Sequence, residues 1–412
     1  MSVSAPADRS VPRAARKAGD MSRDSRGRLN ATPPILHYGF RPFFFLAALH
    51  AGLAIPLWLA VYLGGVELPG PFEGLHWHAH EMLFGYLGAV IAGFVLTAIP
   101  NWTGRLPISG RPLALLVALW LLGRLANLLS PDPYLALGVD LAFPAMLALA
   151  IWREVVAGRN WKNAPVAVMI SLFGLANVTD HAANLHFVPH DLGHQVALAV
   201  AAVLIALIGG RIVPSFTRNW LAREKAATLP ASFGSVDKAA LVATTVAMTA
   251  WVLAADAPLT GALLVAAGGL LGLRLMRWRG LRTLSEPILF VLHLGYFWLA
   301  AALLLLGLSI LMPAVPPSAA LHALTAGAVG TMTLAVMTRA SLGHTGRAIV
   351  ADRSVVAMYV LVTAGAVLRV AAPFADSWYI ATLAAGGSLW SAGFLLFAIR
   401  YAPILWGRRV GA

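Results

Sequence analysis

Twelve apolar runs, each about as long as a bilayer is thick, constrain this chain more than any motif in it. A span needs roughly 20 such residues, and runs of that kind lie near 42–64, 80–100, 112–130, 134–152, 165–184 and 194–213. Six more lie near 236–254, 258–276, 286–311, 318–338, 353–372 and 377–400. Composition agrees: 59% of residues are hydrophobic and 11% charged, with a mean hydropathy of +0.77. A soluble domain runs about 45–50% apolar and about 25% charged. The reading is an all-α polytopic membrane protein of about twelve transmembrane helices, occupying 35–412. Residues 1–34 are Arg-, Ser- and Pro-rich and lack periodicity. They are expected to form a disordered basic cytoplasmic tail, with Met21 as an alternative start.

The formal charge of +13 could suggest a nucleic-acid partner, but its distribution argues against one. The basic residues fall in short clusters between spans. Arg105 and Arg111 follow span 2; Arg153, Arg159 and Lys162 follow span 4; Arg211 to Lys238 follow span 6. Arg274 to Arg282, then Arg339 to Arg353, then Arg400 to Arg409 complete the series. Under a twelve-span topology these all share one side, and the opposite connections carry no Lys or Arg. By the positive-inside rule both termini are cytoplasmic. Cysteine is absent, which removes disulfides, thiolate metal sites, iron–sulfur clusters and covalent haem attachment.

A repeat is visible within the spans. When His80 is laid on His322 without gaps, Gly85 meets Gly327, Gly88 meets Gly330 and Ala98 meets Ala340. Thr103-Gly104-Arg105 then meets Thr345-Gly346-Arg347. From His194, Arg211 falls at the offset of Arg339, and Pro214 at that of Pro100. His50 and His293 occupy similar places in spans 1 and 9. Spans 2, 6 and 10 are therefore alike, and the expected unit is four helices repeated three times.

Ionisable groups inside a bilayer are costly and mark function by default. Most of the histidines gather at the ends of spans remote from the basic clusters. His76, His78 and His80 enter span 2 beside Glu81. His181, His186, His190 and His194 cross from span 5 to span 6 with Asp180 and Asp191, and His322 opens span 10. Imidazole binds copper, zinc and haem iron. The expected metal ligands are His76, His78, His80, His190, His194 and His322, with Glu81, Asp180 and His181 in support. His80, His194 and His322 are also expected to bind haem, along with the deeper His50 and His293. Arg124 and Arg369 lie at the depth of the histidine layer, where they can clamp propionates or pair with Asp132, Asp140 or Asp376.

Long stretches resemble the NnrS family: Gly39 to Leu46 (GFRPFFFL), Trp77 to Gly85 (WHAHEMLFG), Pro100 to Gly104 (PNWTG), Gly210 to Trp220 (GRIVPSFTRNW), and His322 through Gly346. The resemblance implies a bacterial inner-membrane protein that binds haem, here of non-covalent b type, and copper, and that is made in response to nitric oxide. A looser likeness, in architecture alone, is to the haem–copper oxidase catalytic subunits, although span 7 here has no histidine. The expected function is nitric oxide response, nitrosative-stress protection or nitric oxide metabolism, with nitric oxide and the bilayer as partners. Whether it is an enzyme is left open. The rival expectations are a secondary transporter with a histidine-lined pathway and a non-catalytic haem-binding sensor or assembly factor.

Overall fold

A computed structural model describes residues 32–411 of the chain; the expected tail lies almost wholly outside them. Among the described residues there is no strand, and twelve helices are long and apolar enough to span a membrane. They are α1 (Phe40–Tyr62), α2 (Gly74–Pro100), α3 (Arg111–Leu129), α4 (Pro133–Ala157), α5 (Trp161–Asn184) and α6 (Leu192–Arg223). The second half holds α7 (Ser235–Leu253), α8 (Pro258–Met276), α9 (Pro287–Leu311), α10 (Pro317–His344), α11 (Arg353–Phe374) and α12 (Asp376–Trp406). The protein is an all-α polytopic membrane protein. Successive helices pack as antiparallel neighbours, and α12 runs along α1, so the last span meets the first.

The three helices that the sequence repeat singles out are longer than their apolar cores require, at 27, 32 and 28 residues for α2, α6 and α10. They are also among the most buried, at 78%, 61% and 72% of their apolar windows against 28% for α4. All three contain a π-helical stretch: Glu81–Leu87 in α2, Ile205–Gly209 in α6 and Ala323–Val329 in α10. The first and third coincide under the same shift that lays His80 on His322. The one in α6 lies further along than the His194 register would put it.

A π turn loosens the backbone ladder and frees carbonyls, and inside a membrane each needs another donor. The neighbouring helices supply them. Trp120 Nε1 on α3 donates to Gly85 O at 3.0 Å, and Trp390 Nε1 on α12 donates to Ala326 O at 3.2 Å. At the α6 stretch the donor is Arg274 of α8, fully buried, which reaches Ala206 O at 2.9 Å and Gly210 O at 3.3 Å. The same guanidinium pairs with Asp237 at 2.9 Å and with the Tyr296 hydroxyl at 2.9 Å. A Cβ on Gly210 would stand 2.4 Å from it, so only glycine leaves room.

The repeated Thr-Gly-Arg has a backbone reason as well. Gly104 (φ +68°) and Gly346 (φ +74°) both stand in the left-handed region where α2 and α10 end, a conformation that costs glycine least.

Candidate metal centre

The entry to α2 sets the geometry. Gly74–His80 is helical, so His76 and His80, four apart, share one face while His78 points to another. Carboxylates from two other helices meet the first face. Asp180 of α5 lies between three imidazoles: His76 Nε2 at 3.1 Å, His194 Nε2 at 2.8 Å and His80 Nδ1 at 2.7 Å. Gly193 lets α6 start this close, since a Cβ there would stand 2.6 Å from Asp180 Cα. Asp140 of α4 faces His80 Nε2 at 3.0 Å and His181 Nε2 at 3.1 Å, and accepts from Asn177 Nδ2 at 3.1 Å. Arg124 of α3 donates to Asp140 and, at 2.7 Å, to Glu81. Glu81 in turn lies 3.0 Å from His50 Nε2.

Two triads follow, His76–Asp180–His194 and His80–Asp140–His181. In each, the potential donor atoms lie within 4.8 Å of one another. His80, Asp180 and Asp140 are at most 1% exposed. Phe72, from the connection after α1, closes the cluster: its ring stacks on His80 at 4.4 Å and also touches His76 and His181. His190 stands at the mouth, exposed, with its ring 4.6 Å from that of His76.

Charge is the informative quantity here. Three buried carboxylates, Glu81, Asp140 and Asp180, face one guanidinium, Arg124. With neutral imidazoles the cluster is short of two positive charges, three minus one. Burying that imbalance is expensive, so the site demands either protons on its histidines or a divalent cation. His80 shows the demand locally: its Nδ1 faces Asp180 at 2.7 Å and its Nε2 faces Asp140 at 3.0 Å. A neutral ring has one N–H and can donate to only one of the two carboxylates.

A second group differs in character. The His78 ring stacks on Trp58 at 4.3 Å, and its buried Nδ1 has no hydrogen-bond partner. His322 Nδ1 lies 2.7 Å from Ser318 O, which leaves Nε2 as the lone-pair nitrogen. Both imidazoles are within electrostatic reach of Arg369 of α11, whose Nη1 is likewise buried and unpartnered. No carboxylate pairs with that guanidinium among the described residues.

The expected single histidine layer is thus divided. His76, His80, His194, His181, Asp180 and Glu81 converge as expected, and His50 joins through Glu81. His78 and His322 lie with Arg369 instead. Arg124 is held by two carboxylates, which leaves it poorly placed to clamp a further anion. His293 belongs to neither group: it contacts the Thr217 hydroxyl at 2.8 Å, packed near Trp278. Sequence reading gave Asp140 no more than a place opposite Arg124, and it missed Asn127, Asn177 and Phe72. An acid alone in the apolar run of α4 was the available signal for Asp140.

Fold and site together define a class, polytopic helical membrane proteins with an acid-rich histidine cluster buried at one end of the bundle. Within that class the assignment is specific. The NnrS protein family model matches residues 34–409, and the chain belongs to the NnrS family. No curated protein matches it.

Proposed function

We propose that this protein is a haem- and metal-binding protein of the bacterial cytoplasmic membrane, with its basic end and both termini in the cytoplasm, that acts in the response to nitric oxide. The carrying observation is the charge deficit of the His/Asp cluster, which a divalent ion at either triad would offset. Imidazole with carboxylate suits copper or zinc, and of the two, copper is what the resemblance to the NnrS family implies. Asp140, itself held by Asn177 and Arg124, would fix the ligand orientation, as outer partners of metal sites commonly do. The residues that fit haem are the other group: His322, through Nε2, and His78 would hold the iron, and Arg369 would pair with a propionate. A buried, unpartnered Nη1 of Arg369 and an unpartnered Nδ1 of His78 in the same group support that assignment. When bound, haem would supply a reducible iron able to take nitric oxide, and copper a second redox centre.

The chain's own contribution is to bury the site under Phe72, to hold His80 between two carboxylates and to keep Arg124 against Glu81. Optical spectra, pyridine haemochrome and metal analysis on detergent-purified protein provide the test. Near-stoichiometric iron and copper are expected in the wild type. His76→Ala and His194→Ala should lose copper and keep haem, and His322→Ala should do the reverse. Colourless, metal-free protein from haem- and copper-replete cells would overturn the reading and favour a transporter.

A further inference from the structure

Three cavities lie in series beneath the His/Asp cluster. The first, about 20 Å³, sits between α2, α4 and α5, walled by Phe84, Gly88, Phe143 and Phe173, and it ends on Asn177. Asn177 is the residue whose amide donates to Asp140, and Phe84 packs against the His80 ring at 5.0 Å. The second, about 90 Å³, lies between α2, α5, α6 and α10 and touches the π stretch of α6 at Ile205, Ile208 and Gly209. The third, about 380 Å³, occupies the basic half of the bundle, where Arg339 and His344 reach it.

Neighbouring cavities share walls. Ile91 and Ile170 border both the first and the second, and Phe94, Ile212 and Val336 border both the second and the third. One layer of side chains therefore separates each chamber from the next. The lining of the middle chamber is aliphatic and aromatic apart from Met332 and the Thr333 hydroxyl, which is occupied by Tyr86.

We propose that this series is an access route by which a small uncharged diatomic gas, of the size and polarity of nitric oxide, reaches the buried cluster from within the membrane. The inference rests on the functional reading above for the identity of the gas. Its physical basis is independent of that reading. An apolar chamber like the middle one takes up apolar guests, while an ion would have to be desolvated to enter it. The narrowest chamber holds roughly one or two water-sized bodies, so anything larger than a diatomic is excluded before it meets Asn177. Side chains such as those of Ile91 and Ile170 change rotamer on a fast timescale, which suffices to pass a diatomic between adjoining chambers.

Xenon is the probe, because it needs neither haem nor copper. Structures of the full chain determined under xenon pressure should show xenon in the middle chamber. Gly88→Leu should fill the first chamber. There is room to begin, since a Cβ on Gly88 meets nothing nearer than Phe173 Cε1 at 3.8 Å. In stopped-flow mixing with reduced, copper-loaded His322→Ala protein, in which the proposed haem ligand is removed, adding Gly88→Leu should slow nitric oxide binding at the cluster tenfold or more, with copper content unchanged and the helical circular-dichroism spectrum intact. Gly88→Ala, which fits without displacement, is the milder second variant and should slow binding less. Absence of xenon from the middle chamber overturns the route, as does an unchanged binding rate in correctly folded Gly88→Leu. Xenon present in a wild type that forms no nitric oxide adduct supports the route for a neutral gas and overturns the nitric oxide reading of the cluster.

Discussion

Replacing Arg124 by methionine removes the cluster's one permanent cation and keeps the length of its stem. Glu81 loses a 2.7 Å partner, Asp140 loses its guanidinium contact, and both carboxylates are 1% exposed. Breaking a buried ion pair from one side costs about 3–5 kcal/mol, because the other side is left charged and unpaired. Domains of 150–250 residues shift by about 2–4 °C per kcal/mol, and roughly 1–2 °C is reasonable for a longer chain. The expected loss is then about 3–10 °C. Melting followed by intrinsic fluorescence suits a chain with 13 tryptophans and no cysteine for thiol dyes. The measurement belongs in chelator first, then with copper or zinc added. A divalent ion at 100 times its dissociation constant adds about 2.7 kcal/mol, and the methionine variant, being more negative, should gain at least as much as the wild type. Arg124→Lys should fall between, since a lysine offers one point charge to two carboxylates. If Arg124→Met in chelator melts within 1 °C of wild type, the charge argument for the cluster is wrong.

Three further outcomes follow from the same structure. Gly123→Ala would place a Cβ 2.5 Å from Asp140 Oδ1; displacing that carboxylate should cost about 1–3 kcal/mol and lower metal content, read by metal analysis beside a melt. Arg274→Met should destabilise by about 3 kcal/mol or more through Asp237 and the freed carbonyls of the α6 π stretch. Haem and metal content per folded molecule should not change. At the start of α11, the Val355 amide and then Arg400 hold the Asp352 carboxyl below its ordinary value. A depressed carboxyl contributes stability that is complete above its unfolded pKa, near 4, and disappears as pH falls through the lower folded value. Hydrogen exchange at 353–357, corrected for intrinsic rates, should therefore quicken in acid for wild type and show no such step in Asp352→Asn.

The helices were legible because lipid leaves apolar runs almost no alternative to a helix, and each of the twelve was expected within a turn or so at most ends. The exceptions are instructive. The second span was expected to begin at His80, since Trp77-His-Ala-His-Glu reads as interfacial polarity, whereas the helix begins at Gly74. Extended to that point, the 3.6-residue period already divides His76 and His80 from His78. The π stretches leave no mark in hydropathy, because a looser turn needs the same residue types and differs in who donates to its carbonyls. Which histidines meet depends on the azimuth of each helix, and that is settled by close approaches at Gly193 and Gly123 that no single-sequence pattern reports. Asp140 was visible as a residue but not as a hub, since its partners come from three other helices.

The π stretches at Glu81–Leu87 and Ala323–Val329 fall at the same register when His80 is laid on His322. An α-helix turns about 100° per residue, so a stretch wound at a different pitch rotates everything before it relative to everything after. The half of α2 that carries His80 is thereby uncoupled in phase from the half that packs in the centre of the bundle, and the same holds for the half of α10 that carries His322. Either entrance could change its chemistry without disturbing the central seam. One entrance is crowded with carboxylates and the other holds Arg369 with no carboxylate partner among the described residues, so two helices of like register offer one end suited to cations and another suited to anions.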